Sequence, residues 1–252
     1  MARLEGLIKL NGTVGDLSFY KTKANGIQVR MKGGVSGDRI ANDPAFVRTR
    51  ENGAEFGRAQ QLGKKLRELL RDALFQNADS RFSYRLANRL LKVIQMDNVQ
   101  VRGERTLIAE NMILLQDLEC NERANLSGIT LKPVSFDYDR STGEGTLACD
   151  QLIPKHHITQ LAGATHVQYT LVLQEFSGDE TDLRPVIQRS AFIDLNEVEP
   201  VELEVMASLT ADAGKTVILF ASTGYYQHVN GAYYPLANGL YNAMTVKRVY
   251  VP

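Results

Sequence analysis

A nucleotide-binding loop needs glycines ahead of Lys and Ser or Thr, so that backbone amides can encircle phosphate. Gly214-Lys215-Thr216 supplies the end of such a loop, but Leu209 stands where its first glycine belongs. Gly143-x-Gly145-x-x-Ala148 has the spacing of a dinucleotide fingerprint, yet it follows a turn and enters a predicted strand, where the chemistry requires a helix N-terminus. Asp137, Asp139 and Ser141 could begin a calcium loop, except that Thr142 replaces the turn glycine and Ala148 replaces the closing glutamate. His156 and His157 are adjacent and would point opposite ways on a strand, while His166 and His228 lack Cys or carboxylate neighbours at ligand spacing. Cys120 and Cys149 are the only cysteines and form no CxxC pair, which reads as two unpaired core thiols in a reducing compartment. No Gly-x-Ser-x-Gly elbow is present. The sequence therefore predicts no catalytic residue, no cofactor and no bound metal.

Residues suited to contact remain. Arg81, Arg85, Arg89 and Lys92 recur at helical spacing as a basic stripe, which is either a solvated helix edge or an electrostatic contact surface. Tyr225, Tyr226, Tyr233 and Tyr234 crowd the segment 224–241 around Asn230-Gly231. Rings of this kind at a sandwich rim either bind a ligand or cover the open end of a core.

The elements that must carry these residues follow from periodicity. Leu17 to Lys21 and Ile27 to Met31 flank Asn25-Gly26, a tight hairpin signal. After Gly33, Gly34 and Gly37 a linker leads to Asp43, which can cap a helix opening at Pro44. Ala59, Leu62, Leu66, Leu69 and Ala73 mark one buried helical face, and Phe82, Leu86, Leu90 and Val93 mark a second beyond a break at 77–80. Gly53 and Gly57 either admit a neighbouring backbone or mark a kink. Residues 102–128 fit helix or strand. From Ile129 onward seven short runs read as strands: Ile129 to Tyr138, Gly145 to Leu152, His166 to Phe176, Val186 to Leu195, Val201 to Ala207, Thr216 to Ser222 and Ala243 to Val251. The predicted class is α+β: an N-terminal β-hairpin and linker over 1–41, a basic antiparallel helical pair over 42–110, and an acidic immunoglobulin-like antiparallel β-sandwich over 111–252.

The 252 residues carry 29 Lys+Arg and 29 Asp+Glu, so the net charge is zero. The balance is uneven along the chain. Met1 to Glu110 holds 20 basic and 12 acidic residues, net +8, and Asn111 to Pro252 holds the remaining 9 and 17, net −8. Such a dipole attracts nucleic acid to one half or the opposite half of another copy. Met1 to Asn11 lacks the apolar run of a secretory leader, and no stretch approaches a membrane span, so the chain is read as cytoplasmic without membrane insertion. Leaderless export inside a larger particle stays open.

Three strings look familiar: Gly12 to Lys21 (GTVGDLSFYK), Asn42 to Asn52 (NDPAFVRTREN) and Tyr226 to Leu236 (YQHVNGAYYPL). On these the chain resembles an uncharacterised family of bacterial proteins of similar length, nearly end to end. The resemblance carries no activity and no catalytic residues across. The expectation is a non-enzymatic structural subunit that self-associates into a homo-oligomeric particle, tube or filament, basic region against acidic sandwich. The alternatives are nucleic-acid binding by the basic helices and ligand or glycan recognition by the tyrosine-rich segment.

Overall fold

The computed structural model describes residues 2–3, 10–22, 25–176, 184–212 and 214–252. Residues 1 and 4–9 of the expected leaderless start, and 23–24 of the expected hairpin, lie outside the described residues. The chain divides into two compact units, Met1–Arg50 and Glu51–Pro252.

In the first unit, β1 (Ala2–Arg3), β2 (Gly12–Val14), β3 (Leu17–Thr22) and β4 (Gly26–Met31) form an antiparallel sheet in the order β1-β4-β3-β2. The predicted hairpin is its centre, with Thr22 opposite Gly26, whose φ of 69° a glycine adopts freely. A second reversal at Gly15 and Asp16 adds β2. The expected linker is partly helical: Ser36 caps α1 (Gly37–Asn42) by accepting from the Arg39 amide at 3.3 Å. Asp43 caps the next turn, accepting from Ala45 N at 2.9 Å, and Pro44–Phe46 leads into α2 (Val47–Leu69).

The second unit continues α2 and adds α3 (Arg71–Leu74), α4 (Phe82–Gln95), a 3-10 stretch Ala109–Leu115, α5 (Leu126–Ile129), β5 (Ser135–Asp139), β6 (Glu144–Leu152), α6 (Pro154–His157), β7 (His166–Phe176), β8 (Val186–Arg189), β9 (Ile193–Asp194), β10 (Val201–Ser208), β11 (Thr216–Val229), β12 (Ala232–Pro235) and β13 (Ala243–Tyr250). It is a mixed helix and sheet structure whose pairings are antiparallel. One sheet has the order β10-β6-β5. The other runs β12-β11-β7-β8, with β13 also on β11 and β9 also on β7.

Two cores share the larger sheet. Leu147, Cys149, Leu152, Leu203 and Val205 of the small sheet bury against Val167, Tyr169, Leu171, Val217, Leu219 and Ala221. On the opposite side, Ala59, Leu66, Leu70, Phe82, Leu86, Leu90, Val93, Met112 and Leu115 bury against Val172, Ile218, Phe220, Met244 and Val246. The first ten residues of β11 are consequently buried without a break. A boundary near 110 has no counterpart here: helices and sheets of the second unit enclose one another, because a sheet with two apolar faces needs cover on both.

Both helical stripes are buried, with one shift. Because α2 stops at Leu69, Leu70 takes the core position at 2% exposure and Leu69 is only half-buried. The close-packing glycine is Gly63, where an added Cβ would touch Leu90 Cδ1 at 3.4 Å; Gly53 and Gly57 face open space. Between the helices and α5, the 97–106 segment is tied by buried carboxylates. Asp97 accepts from Val99, Gln100 and Thr106 amides, and Glu55 accepts from Gly103 N at 2.9 Å. Val186 to Leu195 is two short strands, and β5 begins at Ser135 where the sequence predicted Ile129, which instead closes α5 (Leu126–Ile129).

Candidate functional site

The basic stripe does not form one surface. Arg85 is turned inward, its side chain 16% exposed, where it meets Asp79 at 3.0 Å and Glu122 at 3.4 Å and donates to the Glu119 and Cys120 carbonyls. Arg89 donates to the Leu114 carbonyl at 3.1 Å. Both guanidiniums thus hold α4 to the segment before β5, leaving Arg81 and Lys92 as the exposed members. Burial alone would raise the Asp79 carboxyl, but hydrogen bonds from Arg85 and from the Glu122 and Arg81 amides outweigh it and hold it below its ordinary value. Nearby Glu119 moves the other way, pushed up by burial although Thr245 Oγ1 donates to it at 2.5 Å.

The tyrosine segment is mostly strand. Asn230 and Gly231 take φ of 51° and 80°, as a two-residue hairpin requires, and β12 folds back on the end of β11. Tyr225 is a core residue: its hydroxyl donates to the Thr159 carbonyl at 2.6 Å, and burial raises its phenol to about 12. Tyr233 stacks on Phe192 at 3.8 Å and on His228 at 4.5 Å. Two rings cannot share one face at these separations, so both faces of Tyr233 are taken. His166 meets it edge-on at 5.0 Å. Tyr234 is 57% exposed, and Tyr226 is half-buried against Phe192.

The other sites considered from sequence resolve as turns or packing. His157 lies in α6, not on a strand, and its Nδ1 accepts from Ile153 N at 2.9 Å. Asp139 accepts from the Ser141 amide and hydroxyl in a turn. Cys120 and Cys149 are buried free thiols. Among the described residues no group of three His, Cys, Asp or Glu is placed to hold a metal, and no helix is long and apolar enough to cross a membrane.

A surface that residue counting did not single out lies on the N-terminal sheet. Residues opposite one another in antiparallel strands project from the same face. Val14 opposes Leu17 and Leu17 opposes Met31, a row continued by Phe19 against Val29 and Lys21 against Ile27. The other face carries Thr13, Ser18, Arg30, Tyr20 and Gln28, with the Arg30 guanidinium over the Tyr20 ring at 5.4 Å. Within the chain Val14, Leu17 and Met31 are 60%, 40% and 74% exposed, and Phe19 is the one buried side chain described in this unit. The alternation Leu-Ser-Phe and Ile-Gln-Val-Arg-Met was the available signal.

Set against known proteins, the chain matches no family model and no curated protein.

Proposed function

We propose that this chain is a non-enzymatic structural subunit that self-associates head to tail, the N-terminal sheet of one copy docking on the second unit of the next. The row Val14–Leu17–Met31 carries the reading. A small sheet gains stability by covering an apolar face, and this one leaves that row open to water. Charge supports the same pairing along the structural division. Met1–Arg50 holds 9 Lys+Arg and 4 Asp+Glu, net +5, which leaves 20 and 25 in Glu51–Pro252, net −5. Opposite patches of this kind speed encounter and fix register, while apolar contact supplies affinity. A heterologous contact repeats from copy to copy, closing into a ring or running on as a filament.

The two-sheet body is read as an immunoglobulin-like sandwich. Taking β5, β6, β7, β8, β10, β11 and β13 as A, B, C, C′, E, F and G sets ABE against C′CFG, the order of that architecture without a D strand. Less supports a nucleic-acid role, since Arg85 and Arg89 already spend their donors on the protein's own carbonyls.

Light scattering coupled to size exclusion tests the proposal. The expected result is an assembly at low salt that dissociates as salt screens the attraction, and a loss of assembly in Met31→Asp. A monomer at every salt and concentration overturns it.

A further inference from the structure

Where the helical layer ends, the outer face of the large sheet changes from apolar to polar. Along β11 that face reads Ile218, Phe220, then Ser222, Gly224 and Tyr226; along β7 it reads Phe176, the buried Gln174 and Val172, then Thr170 and Gln168. Over this polar stretch the Asp72–Asn77 segment stands off the sheet and encloses a cleft of about 220 Å³. Its wall is fixed in place, because Asn242, 1% exposed, donates to the Gln76 carbonyl at 3.2 Å while accepting from Tyr225 N at 3.1 Å.

Strand register builds the floor. Arg189 opposes Thr170, and Thr170 opposes Ser222, so one row across β8, β7 and β11 carries a guanidinium and two hydroxyls on one face. The next row sets Gln168 opposite Gly224, whose missing side chain lets Asn242 and Tyr226 close in; a Cβ there would meet Asn242 Nδ2 at 3.1 Å. Ser222 is only 3% exposed and lines the cleft, which is where its hydroxyl meets solvent. Arg189 is exposed and has no ion pair among the described residues, and neither has Asp72 on the facing wall. Gln168 Nε2 donates to the Ser190 carbonyl at 3.0 Å, which leaves its amide oxygen as an acceptor. Phe75, 82% exposed, and half-buried Tyr226 supply flat apolar surfaces at the rim.

From these placements we infer that the cleft binds a small polyhydroxylated carboxylate, of the acidic-monosaccharide class. Arg189, Thr170 and Ser222 donate toward the carboxylate end. Asp72 and the Gln168 amide oxygen accept from hydroxyls, and the rim aromatics cover C–H faces. A bare phosphate meets the same donors but carries no ring hydroxyls for Asp72 and the Gln168 amide oxygen to accept from. The volume lies below that of drug-sized sites, which suits one sugar ring.

Ligand-observed NMR on the full chain tests this with glucuronate as the probe, against glucose, inorganic phosphate and alanine at about 10 mM each. Glucuronate is expected to show saturation transfer, with each of the other three weaker by about tenfold or more. Arg189→Met, which keeps the exposed stem, should weaken glucuronate about tenfold with an unchanged thermal melt, and Ser222→Ala should weaken it less. No transfer from glucuronate, equal binding by Arg189→Met, or a preference for alanine or phosphate would overturn the assignment. This site is separate from the N-terminal sheet, so either outcome leaves the self-association reading to its own test.

Discussion

A guanidinium withdrawn from water must have its donors and its charge answered nearby, and Arg85 shows how this chain does so. Its side chain reaches Asp79, Glu122 and two backbone carbonyls of a segment 34 and 35 residues away, so it acts as a clamp across the helical layer. Truncation leaves those carbonyls and the Asp79 carboxylate poorly satisfied. Arg85→Met is expected to cost about 3 kcal/mol in urea unfolding, against less than about 0.5 kcal/mol for Arg81→Gln or Lys92→Gln on the same helix. The pH dependence has a definite sign. Asp79 is held below its ordinary value, so its contribution is complete above the ordinary carboxylate range and is lost as pH falls through its folded value. Acid titration of stability should therefore show a shallower loss in Asp79→Asn than in the parent, from a lower starting point at neutral pH.

At the scale of elements, tight turns set the register between strands. Gly143 has φ of 77°, its amide donates to Asp139 and its carbonyl accepts from Leu209 N. A Cβ there would collide with the Leu209 carbonyl oxygen. Gly143→Ala combines that clash with left-handed strain, and should destabilise the β5–β6 hairpin and its β10 neighbour by about 2–4 kcal/mol, read as a lower thermal midpoint. Such turns were partly legible in the sequence: Asn25-Gly26 and Asn230-Gly231 mark hairpins, and period-two alternation located β6, β7, β10 and β13 to within a residue or two. Two things were harder to read. The end of β11 looked like a loop because its tyrosines and asparagines resemble turn chemistry, although β12 pairs with it as a strand. The stacking of helices on the sheet left its trace in the unbroken run Val217-Ile218-Leu219-Phe220-Ala221, which departs from alternation because both faces are covered. The cleft was not legible at all, since Arg189, Thr170 and Ser222 become neighbours only through register.

At the scale of the whole molecule, the charge asymmetry survives but moves. The stripe on α4 is largely absorbed by its surroundings, while the positive excess sits with the N-terminal unit and the negative excess with the rest of the chain. The second unit, by contrast, cannot be parted where its helices give way to sheets. With β11 walling two interiors, a polypeptide beginning at Asn111 would present Val172, Ile218, Phe220, Met244 and Val246 bare to solvent, and one ending at Glu110 would keep half a core. Made separately, the two pieces should aggregate or remain without fixed tertiary signals in near-ultraviolet circular dichroism. Made together with an affinity tag on one of them, they should purify as a pair, so that this protein can serve as a split reporter whose halves recover a fold only in each other's company.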